Sequence, residues 1–338
     1  MTRPAATNRP TMATVAELAG VSKITVSRAL GGSSLVRPEL RDRIVAVANQ
    51  AGYRMNVAAR NLRTRRSHTV AVIFEQLELR DRPISDPMLL LMIGGLLEVL
   101  TAADQAMLLT SCEHFLHSQA VAADGVILIG QGEGGRRARD VAALGQPMVV
   151  WGAAEPGQDL TVIGSNNRQG GRIGAGHMVE VGCRRMLFLG DPAHPEVAAR
   201  LEGVRDILAA SEAALVRVQP CDFTRAGGAK ALAAAMDEGV TFDGVIAVSD
   251  YIAAGACDLL TERGVVIPDQ AAVIGFDDNP VAANHKPPIS SIRQDWARAG
   301  RVLGETLLDI LQDRGARPDD LLLPVELVAR QSTARRRR

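Results

Sequence analysis

The chain has 338 residues, of which 47% are hydrophobic and 22% charged, and its formal net charge at pH 7 is zero. This composition is ordinary for a globular protein of two or three domains, and net neutrality by itself indicates no nucleic-acid partner. The cysteines are widely spaced and form no Cys-x-x-Cys pair, which argues against a zinc ribbon and a redox motif.

The charge is unevenly distributed along the chain. Residues 1–69 contain twelve Lys and Arg and three acidic residues, a charge of +9, so the remainder of this neutral chain carries −9. A basic module joined to an acidic body predicts a polyanionic partner for the module alone. A disordered basic tail is the alternative, but helix-capping residues and an apolar pattern within the segment disfavour it.

Three short helical patterns follow a leader at 1–11 that we expect to be disordered. Thr14 is the predicted cap of the first helix, whose apolar face carries Val15, Leu18 and Ala19. Ser22 is the predicted cap of the second helix, from Lys23 to about Leu30. Pro38 begins the third and Gly52 stops it. Two helices around a tight glycine turn plus a third predict a helix-turn-helix, although a generic three-helix bundle fits the pattern equally well.

From Val70 onward, short apolar runs alternate with amphipathic stretches. The runs lie at 70–74, 106–111, 125–130, 147–152, 185–190, 244–249 and 271–276. This alternation predicts two doubly wound parallel sheets, with ligands bound at the carboxyl ends of their strands. The apolar run at 88–97 is about half as long as a membrane span and predicts a buried core helix.

The string TVAELAGVSKITVSRALGG at 14–32 resembles the DNA-recognition module of the LacI/GalR family of transcriptional regulators. Four further blocks resemble the family in the same order: 47–67, 165–192, 274–283 and 287–295. The resemblance implies an all-α helix-turn-helix headpiece followed by an α/β core of two parallel-sheet subdomains, like that of periplasmic binding proteins. It implies a DNA-binding regulator, expected to be a repressor, and not an enzyme.

The resemblance also implies a domain division. We expect a helix-turn-helix domain at 12–56, a hinge helix and linker at 57–69, an effector-binding and dimerisation core at 70–330 and a basic tail at 331–338. Within the core, the N-subdomain comprises about 70–163 and 295–323, and the C-subdomain about 164–293 and 324–330. The polar segment at 1–14 is unlike a secretory signal, so we expect a cytoplasmic, nucleoid-associated protein with no membrane contact.

The exposed side of the second predicted helix is the candidate DNA-reading surface. Lys23, Ile24 and Arg28 are expected to reach base edges in the major groove, where Arg can pair with guanine and Ile can contact a thymine methyl. The hydroxyls of Thr25 and Ser27 suit phosphates. The resemblance implies the same roles, and a solvated helix face is the alternative.

Residues 57–66 predict a short basic helix that is too short to be stable alone. The resemblance implies that this hinge folds on operator DNA and inserts Leu62 into the minor groove, with Ala59 beside it and Asn56 at its start. Leu62 could instead be an ordinary core residue. Since one half-site gives little affinity, we expect a homodimer on a near-palindromic operator in double-stranded DNA.

Several positions match the ligand contacts of the family. The candidate effector-binding residues are Glu75, Arg200, Ser249, Asp250 and Asp277, with Trp151 and Trp296 near the cleft or, equally, in the core. The resemblance makes a sugar the first expectation for the effector. Gly152 stands where many sugar-binding members have an aspartate, and Glu75 and Ser249 also depart from the family pattern, so a purine or other metabolite is the alternative. A sugar-binding protein without a transcriptional role is a weaker alternative.

Two other motifs are given structural interpretations. The glycine-rich strings at 130–135 and 170–176 lack a P-loop lysine and indicate close helix–strand packing. Cys112, Glu113, His114 and His117 are more typical of the end of a strand than of a metal site. We therefore expect no metal, cofactor or catalytic residue. Effector binding is expected to reorient the N-subdomains of the dimer and so to change DNA affinity.

Overall fold

The computed structural model describes residues 10–31, 33, 35–54, 66–75, 86–118, 122–132, 135–153, 160–313 and 321–334. The chain divides into two compact units, residues 1–67 and residues 68–338. Each unit has its own hydrophobic core.

The first unit contains helices α1 (Met12–Ala19), α2 (Lys23–Leu30) and α3 (Pro38–Gln50). Their inward faces share one small core formed by Val15, Ala16, Ala19, Val26, Ala29, Val36, Ile44 and Ala48. Ser22 caps α2 by accepting a hydrogen bond from the backbone N–H of Thr25, as predicted. Pro38 begins α3, and Gly52, with a φ of 66°, follows its end.

The first helix begins earlier than predicted. Thr11, not Thr14, caps α1, and Thr14 completes a capping box by accepting a hydrogen bond from the backbone N–H of Thr11. The prediction was wrong because both threonines are suitable caps, and only the backbone shows which one precedes the helix. Leu18, expected in the core, is 62% exposed, because the buried face is formed by Val15 and its neighbours instead.

The second unit contains two six-stranded sheets. Sheet one has the order β11-β5-β4-β3-β1-β2, and sheet two has the order β12-β10-β9-β8-β6-β7. Every pairing is parallel except that of β12 with β10. The strands are β1 (Thr69–Phe74), β2 (Ala106–Ser111), β3 (Gly125–Ile129), β4 (Met148–Trp151), β5 (Thr161–Ser165), β6 (Arg185–Leu189), β7 (Ala214–Gln219), β8 (Gly244–Ala247), β9 (Ala272–Asp277), β10 (Ser290–Gln294), β11 (Leu321–Leu323) and β12 (Val325–Val328).

Helices pack on the sheets between these strands. They are α4 (Pro87–Ala102), α5 (Cys112–His117), α6 (Arg136–Ala142), α7 (Asn167–Glu180), α8 (Pro195–Leu208), α9 (Arg225–Asp237), α10 (Asp250–Glu262), α11 (Pro280–Asn284) and α12 (Trp296–Leu311). A helix-turn-helix unit followed by two doubly wound sheets confirms the predicted fold class. All seven apolar runs identified in the sequence form strands.

The sequence pattern missed the strands with frequent polar residues. β7 lies at the edge of sheet two with no fully buried residue, and β10 contains Ser290, Ser291 and Gln294, whose buried side chains are hydrogen-bonded. Neither strand therefore shows a continuous apolar run. The antiparallel strand β12 is a mixed-sheet feature that the prediction of parallel sheets did not include.

The prediction of a buried helix at 88–97 is confirmed in part, and the interpretation of 112–117 was wrong. The run at 88–97 lies in α4, but only one face of this helix is buried, and Leu90, Leu91 and Leu97 are about half exposed. Residues 112–117, expected at the end of a strand, form α5, because the side chain of Ser111 caps a helix there. No helix among the described residues is long and apolar enough to cross a membrane.

The glycines at 170–176 permit the close packing that the sequence predicted. They allow α7 to approach the helix α8 as well as the strand β9. A Cβ at Gly171 would overlap the backbone carbonyl oxygen of Arg200 in α8, and a Cβ at Gly170 would overlap the ring of Phe276 in β9. Gly203 makes the reciprocal approach from α8 to the backbone of Arg168. The backbones of α7 and α8 therefore pack against each other with no intervening side chain.

This packing predicts opposite effects for two glycines of α7. We expect Gly171→Ala to destabilise the protein by about 1–3 kcal/mol, because the methyl group overpacks against a rigid backbone. Gly176→Ala is the matched control, since a Cβ there meets nothing within 4 Å, and we expect it to stabilise the helix by up to about 1 kcal/mol. Urea unfolding of the intact protein measures both, and equal effects would contradict the packing.

Candidate functional site

The exposed face of α2 carries the side chains predicted to read DNA. Lys23, Ile24 and Arg28 are exposed, and Ile24 is 63% exposed although it is a large aliphatic residue. Thr25 and Ser27 are half-buried, and the hydroxyl of Thr25 lies 2.8 Å from that of Ser22. The opposite face of the helix packs Val26 and Ala29 into the core. The hinge residues Asn56, Ala59 and Leu62 lie outside the described residues.

In the second unit, neighbouring strands of sheet one bring three candidate residues to one edge. Glu75 follows β1, Gln131 follows β3, and Trp151 ends β4. Because β1, β3 and β4 are adjacent and parallel, their carboxyl ends meet at this edge. Sequence reasoning named Glu75 and Trp151 but missed Gln131. The signal for Gln131 was its position directly after a predicted strand.

The carboxylate of Glu75 lies in a partly desolvated environment. Burial is the main cause that raises its pKa, and a backbone hydrogen bond from Gly132 opposes the rise. The charges of Glu196 and His194, at the start of α8, also act on it, so residues of sheet one and of the region beside sheet two face each other here. His194 contacts the ring of Phe223 edge-on, with ring centroids 5.3 Å apart. The sequence reasoning included neither His194 nor Glu196.

Arg200 and Asp277 are buried within the C-terminal half of the core. The Nε of Arg200 donates to Oδ1 of Asn167 over 2.8 Å, an Nη donates to the carbonyl of Val248, and the guanidinium lies 3.6 Å from the ring centroid of Phe276. Asp277 ends β9 with a φ of 107° and accepts a 2.6 Å hydrogen bond from Nε2 of Gln294. Both side chains are thus held in fixed orientations.

Ser249 and Asp250 have structural partners instead of an opening to the cleft. Ser249 is fully buried and caps α10. Asp250 is also fully buried and accepts hydrogen bonds from the backbone N–H of Asn279 and the hydroxyl of Ser291. The structure therefore places these two predicted effector contacts in the interior, because the N-terminus of α10 and the turn after β9 use their oxygen atoms.

The two tryptophans form a pair. Trp151 and Trp296 have ring centroids 5.6 Å apart at an interplanar angle of 56°, and both are half-buried against the core of sheet one. The indole N–H of Trp296 donates to the backbone carbonyl of Asp277 over 3.4 Å. Both tryptophans therefore pack against the core, and Trp296 also contacts Asp277, a predicted effector-binding residue.

An open cavity of about 660 Å³ lies next to Asp277. Gln294 and Trp296 line it together with Met88 and Leu91 from α4. The two halves of the core also make a direct contact. The Nδ2 of Asn279, which follows β9 of sheet two, donates to Oδ1 of the buried Asp86, which precedes α4, over 3.4 Å. Among the described residues, no group of three His, Cys, Asp or Glu residues is placed to hold a metal ion. Gly130 and Gly132 have positive φ, and a Cβ at either would lie 3.0 Å from a carboxylate oxygen of Glu75.

Comparison with known proteins identifies the class. Residues 11–56 match a family model described as bacterial regulatory proteins, lacI family, and residues 175–333 match a periplasmic binding protein-like domain. The HTH-type transcriptional regulator CelR of Thermobifida fusca is 30% identical over 96% of this chain and 98% of its own length.

Solved structures agree. A CelR–cellobiose complex matches 96% of this chain and 100% of its own, with 27% identity and a TM-score of 0.70. A lac repressor dimer bound to operator and the anti-inducer ONPF matches 96% and 98%, with 22% identity and a TM-score of 0.81, which supports the fold. The chain belongs to the lacI family of bacterial regulatory proteins. It is a transcriptional regulator and not an enzyme.

The buried carboxyl of Asp250 predicts an unusual pH dependence. Its pKa is raised well above the ordinary value of 3.8 by burial and by the charge of Asp277. A folded-state pKa above the unfolded value means that stability is lost as the pH rises past about 4. In Asp250→Asn the amide oxygen can accept from the N–H of Asn279, and the amino group can donate to the hydroxyl oxygen of Ser291. The variant then keeps both contacts without the charge, so it should gain stability relative to wild type between pH 4 and 7.

Urea unfolding at several pH values measures this difference. Asp206→Asn is the matched control, because Arg168 and Arg172 lower the pKa of Asp206 to about 2. The wild-type advantage over that variant should be fully present above pH 4 and should shrink as the pH falls toward 2. If the stability difference for Asp250→Asn stayed constant with pH, the pKa of Asp250 would not be raised in the folded protein.

Proposed function

We propose that this protein is a repressor whose affinity for a near-palindromic operator is controlled by a sugar. The observation that carries the proposal is a lacI-family headpiece with an exposed basic helix, joined to a core whose polar side chains meet at the carboxyl ends of parallel strands. Basic side chains in the headpiece supply phosphate attraction, and the core supplies a site for a small polar molecule. We also propose the domain division given above for the sequence, with one correction. The basic tail cannot begin at residue 331, because Ser332 and Thr333 are buried and form hydrogen bonds with Ser290, so the core extends to Thr333.

The DNA-reading residues are Lys23, Ile24 and Arg28, with Thr25 and Ser27 at phosphates. The aliphatic side chain of Ile24 is 63% exposed, so most of its surface does not pack against the rest of the folded unit. Next to two exposed cationic residues it suits a thymine methyl in the major groove. Asn56, Ala59 and Leu62 would extend the contact into the minor groove as the hinge folds on DNA.

We further propose that two copies associate through α4 and the edge strand β2. Leu90, Leu91, Leu97, Leu108 and Leu109 are each 37–53% exposed on these two elements. Such a group of exposed leucines on an edge strand and the adjacent helix is typical of an interface. Sedimentation of the purified protein as a monomer at micromolar concentration would contradict this part of the proposal.

A sugar is the proposed effector because the cleft offers oriented polar groups beside aromatic faces. Glu75, Arg200 and Asp277 supply charged groups in partly dry surroundings, where hydrogen bonds to hydroxyls are strong. The indoles of Trp151 and Trp296 offer a stacking face. The relative CelR has been solved with cellobiose, which supports a carbohydrate.

Control of DNA binding follows from linkage. A sugar that binds one arrangement of the two halves of the core more tightly shifts the population toward it. The headpiece then binds DNA more or less strongly, according to which arrangement suits the operator. In this proposal the sugar releases the repressor from DNA.

Arg28→Ala tests the DNA-reading helix. With a duplex selected by the intact protein from a random pool, we expect affinity to fall about 5- to 150-fold, because a good bidentate pair with a base contributes about 1–3 kcal/mol. Binding to an unselected duplex should fall much less. Fluorescence anisotropy at fixed salt measures both affinities.

The matched control is Arg263→Ala, which removes an exposed arginine paired with Asp237 in the other unit. Its affinity for the selected duplex should equal that of wild type. An Arg28→Ala protein that loses the same factor on selected and unselected duplexes would show that Arg28 contacts only phosphates.

Asp277→Asn tests the effector site. Asparagine tolerates a positive φ and can still accept from Gln294, so the variant should fold. We expect the increase in melting temperature produced by a bound sugar to be lost, because the carboxylate is the stronger acceptor of a hydroxyl proton. Asp206→Asn is the control, since Asp206 pairs with Arg168 and Arg172 of α7, and it should retain the sugar-induced increase. An unchanged increase in Asp277→Asn would remove Asp277 from the site.

A further inference from the structure

Gln131 lies at the carboxyl edge of sheet one, beside the candidate residues Glu75 and Trp151, and is only 4% exposed. It follows β3, between Glu75 after β1 and Gly152 after β4. Its backbone carbonyl accepts hydrogen bonds from the N–H groups of Arg137 and Ala138 in α6. The backbone at Gln131 is therefore fixed at the carboxyl edge of sheet one.

The orientation of its carboxamide is set by one hydrogen bond. The backbone N–H of Ala153 donates to Oε1 of Gln131 over 2.7 Å. Since an N–H requires an acceptor, the oxygen must face Ala153 and the amino group must face away from it. The carboxamide also fills the space beside Gly152, where an added Cβ would overlap it.

The amino group has no acceptor within the described part of the protein. Nε2 of Gln131 is buried and makes no hydrogen bond there. A buried donor without a partner loses its hydrogen bonds to water and gains none in return, so most such groups in folded proteins are paired. An unpaired donor held rigidly at the ligand edge of a parallel sheet is typical of a group whose acceptor arrives with a ligand.

The neighbouring carboxylate indicates the chemistry of that ligand. Glu75 is an acceptor that the N–H of Gly132 holds, and its carboxylate lies against Gly130 and Gly132, the two residues that flank Gln131 in the chain. A rigid acceptor beside a rigid donor suits two adjacent hydroxyl groups, one donating its proton to Glu75 and the other accepting from Gln131. A carboxylate or phosphate on the ligand would instead be repelled by Glu75.

We propose that Gln131 is a specificity-determining residue of the effector site, and that its Nε2 donates a hydrogen bond to a hydroxyl oxygen of a neutral, vicinal-diol-bearing sugar. This inference rests on the proposed function, since it assigns a ligand contact within that site. It replaces Ser249 and Asp250, whose oxygen atoms are used inside the protein, by a residue that the sequence pattern did not indicate.

The test uses the full-length protein and a panel of neutral mono- and disaccharides that includes cellobiose and ribose, with gluconate as the anionic probe. Melting temperature identifies the sugars that bind wild type, and calorimetry then gives their dissociation constants. Gln131→Met removes the donor at similar side-chain size. Gln131→Glu retains an oxygen for Ala153 and so preserves the structural hydrogen bond. It has no donor when it is ionised, so binding is measured over a range of pH up to about 9 and compared at the alkaline end. We expect both variants to bind the sugar about tenfold more weakly or worse.

Gln146→Met is the matched control. Gln146 precedes the opposite, amino end of β4, and its Nε2 donates to the carbonyl of Ala123 over 3.2 Å. Its substitution should leave sugar affinity unchanged. A series of monodeoxy analogues provides a second measurement. One analogue should bind wild type about tenfold more weakly than the parent sugar and should lose no further affinity in Gln131→Met.

The outcomes separate this inference from the proposed function. If a sugar binds wild type and both Gln131 variants equally well, Gln131 has only a structural role and the inference is overturned, while the sugar-effector proposal stands. If gluconate alone binds, the neutral-sugar assignment is overturned. If no sugar in the panel binds wild type, the proposed function fails and this inference fails with it.

Discussion

The parallel pairing of strands that are distant in the chain is the constraint on which the rest of this structure depends. In sheet one, β1, β3 and β4 lie side by side, and in sheet two, β6, β8 and β9 do the same. Because every parallel strand ends at the same edge, residues as far apart as Glu75 and Trp151 reach one site without any local sequence signal. The sheets therefore bring together the site residues, which lie at the strand ends or directly after them.

Buried polar side chains then hold the second half of the site. Asp277 adopts its positive φ within a turn that Asp250 anchors through Asn279 and Ser291. Asp278 is paired with Arg293 of β10 and with Arg330. Among the described residues the chain passes between the two sheets after β5, after β10 and between β11 and β12, so the halves of the core are tied together near this turn. Asp277 accepts a hydrogen bond from Gln294, the last residue of β10, and so lies beside one of these connections.

Apolar runs and capping residues predicted much of this fold. Continuous runs such as 125–130 are required by strands buried on both faces, and Ser22 and Pro38 begin helices for local reasons. Polar strands such as β10 could not be predicted, because their buried serines and glutamine are stabilised by partners distant in the chain. For the same reason, the family pattern named Ser249 and Asp250 but could not show that their oxygen atoms face inward, and it passed over Gln131, whose unpaired amino group is visible only in three dimensions.

The central claim is that sugar binding in the core and DNA binding by α2 are linked in one molecule. The most direct measurement is the dissociation constant of the intact protein for its selected duplex across a titration of the sugar that raises its melting temperature. The account predicts that saturating sugar weakens DNA binding by about 5- to 150-fold, and that the duplex weakens sugar binding by the same factor. A DNA affinity that stays constant throughout the sugar titration would contradict it.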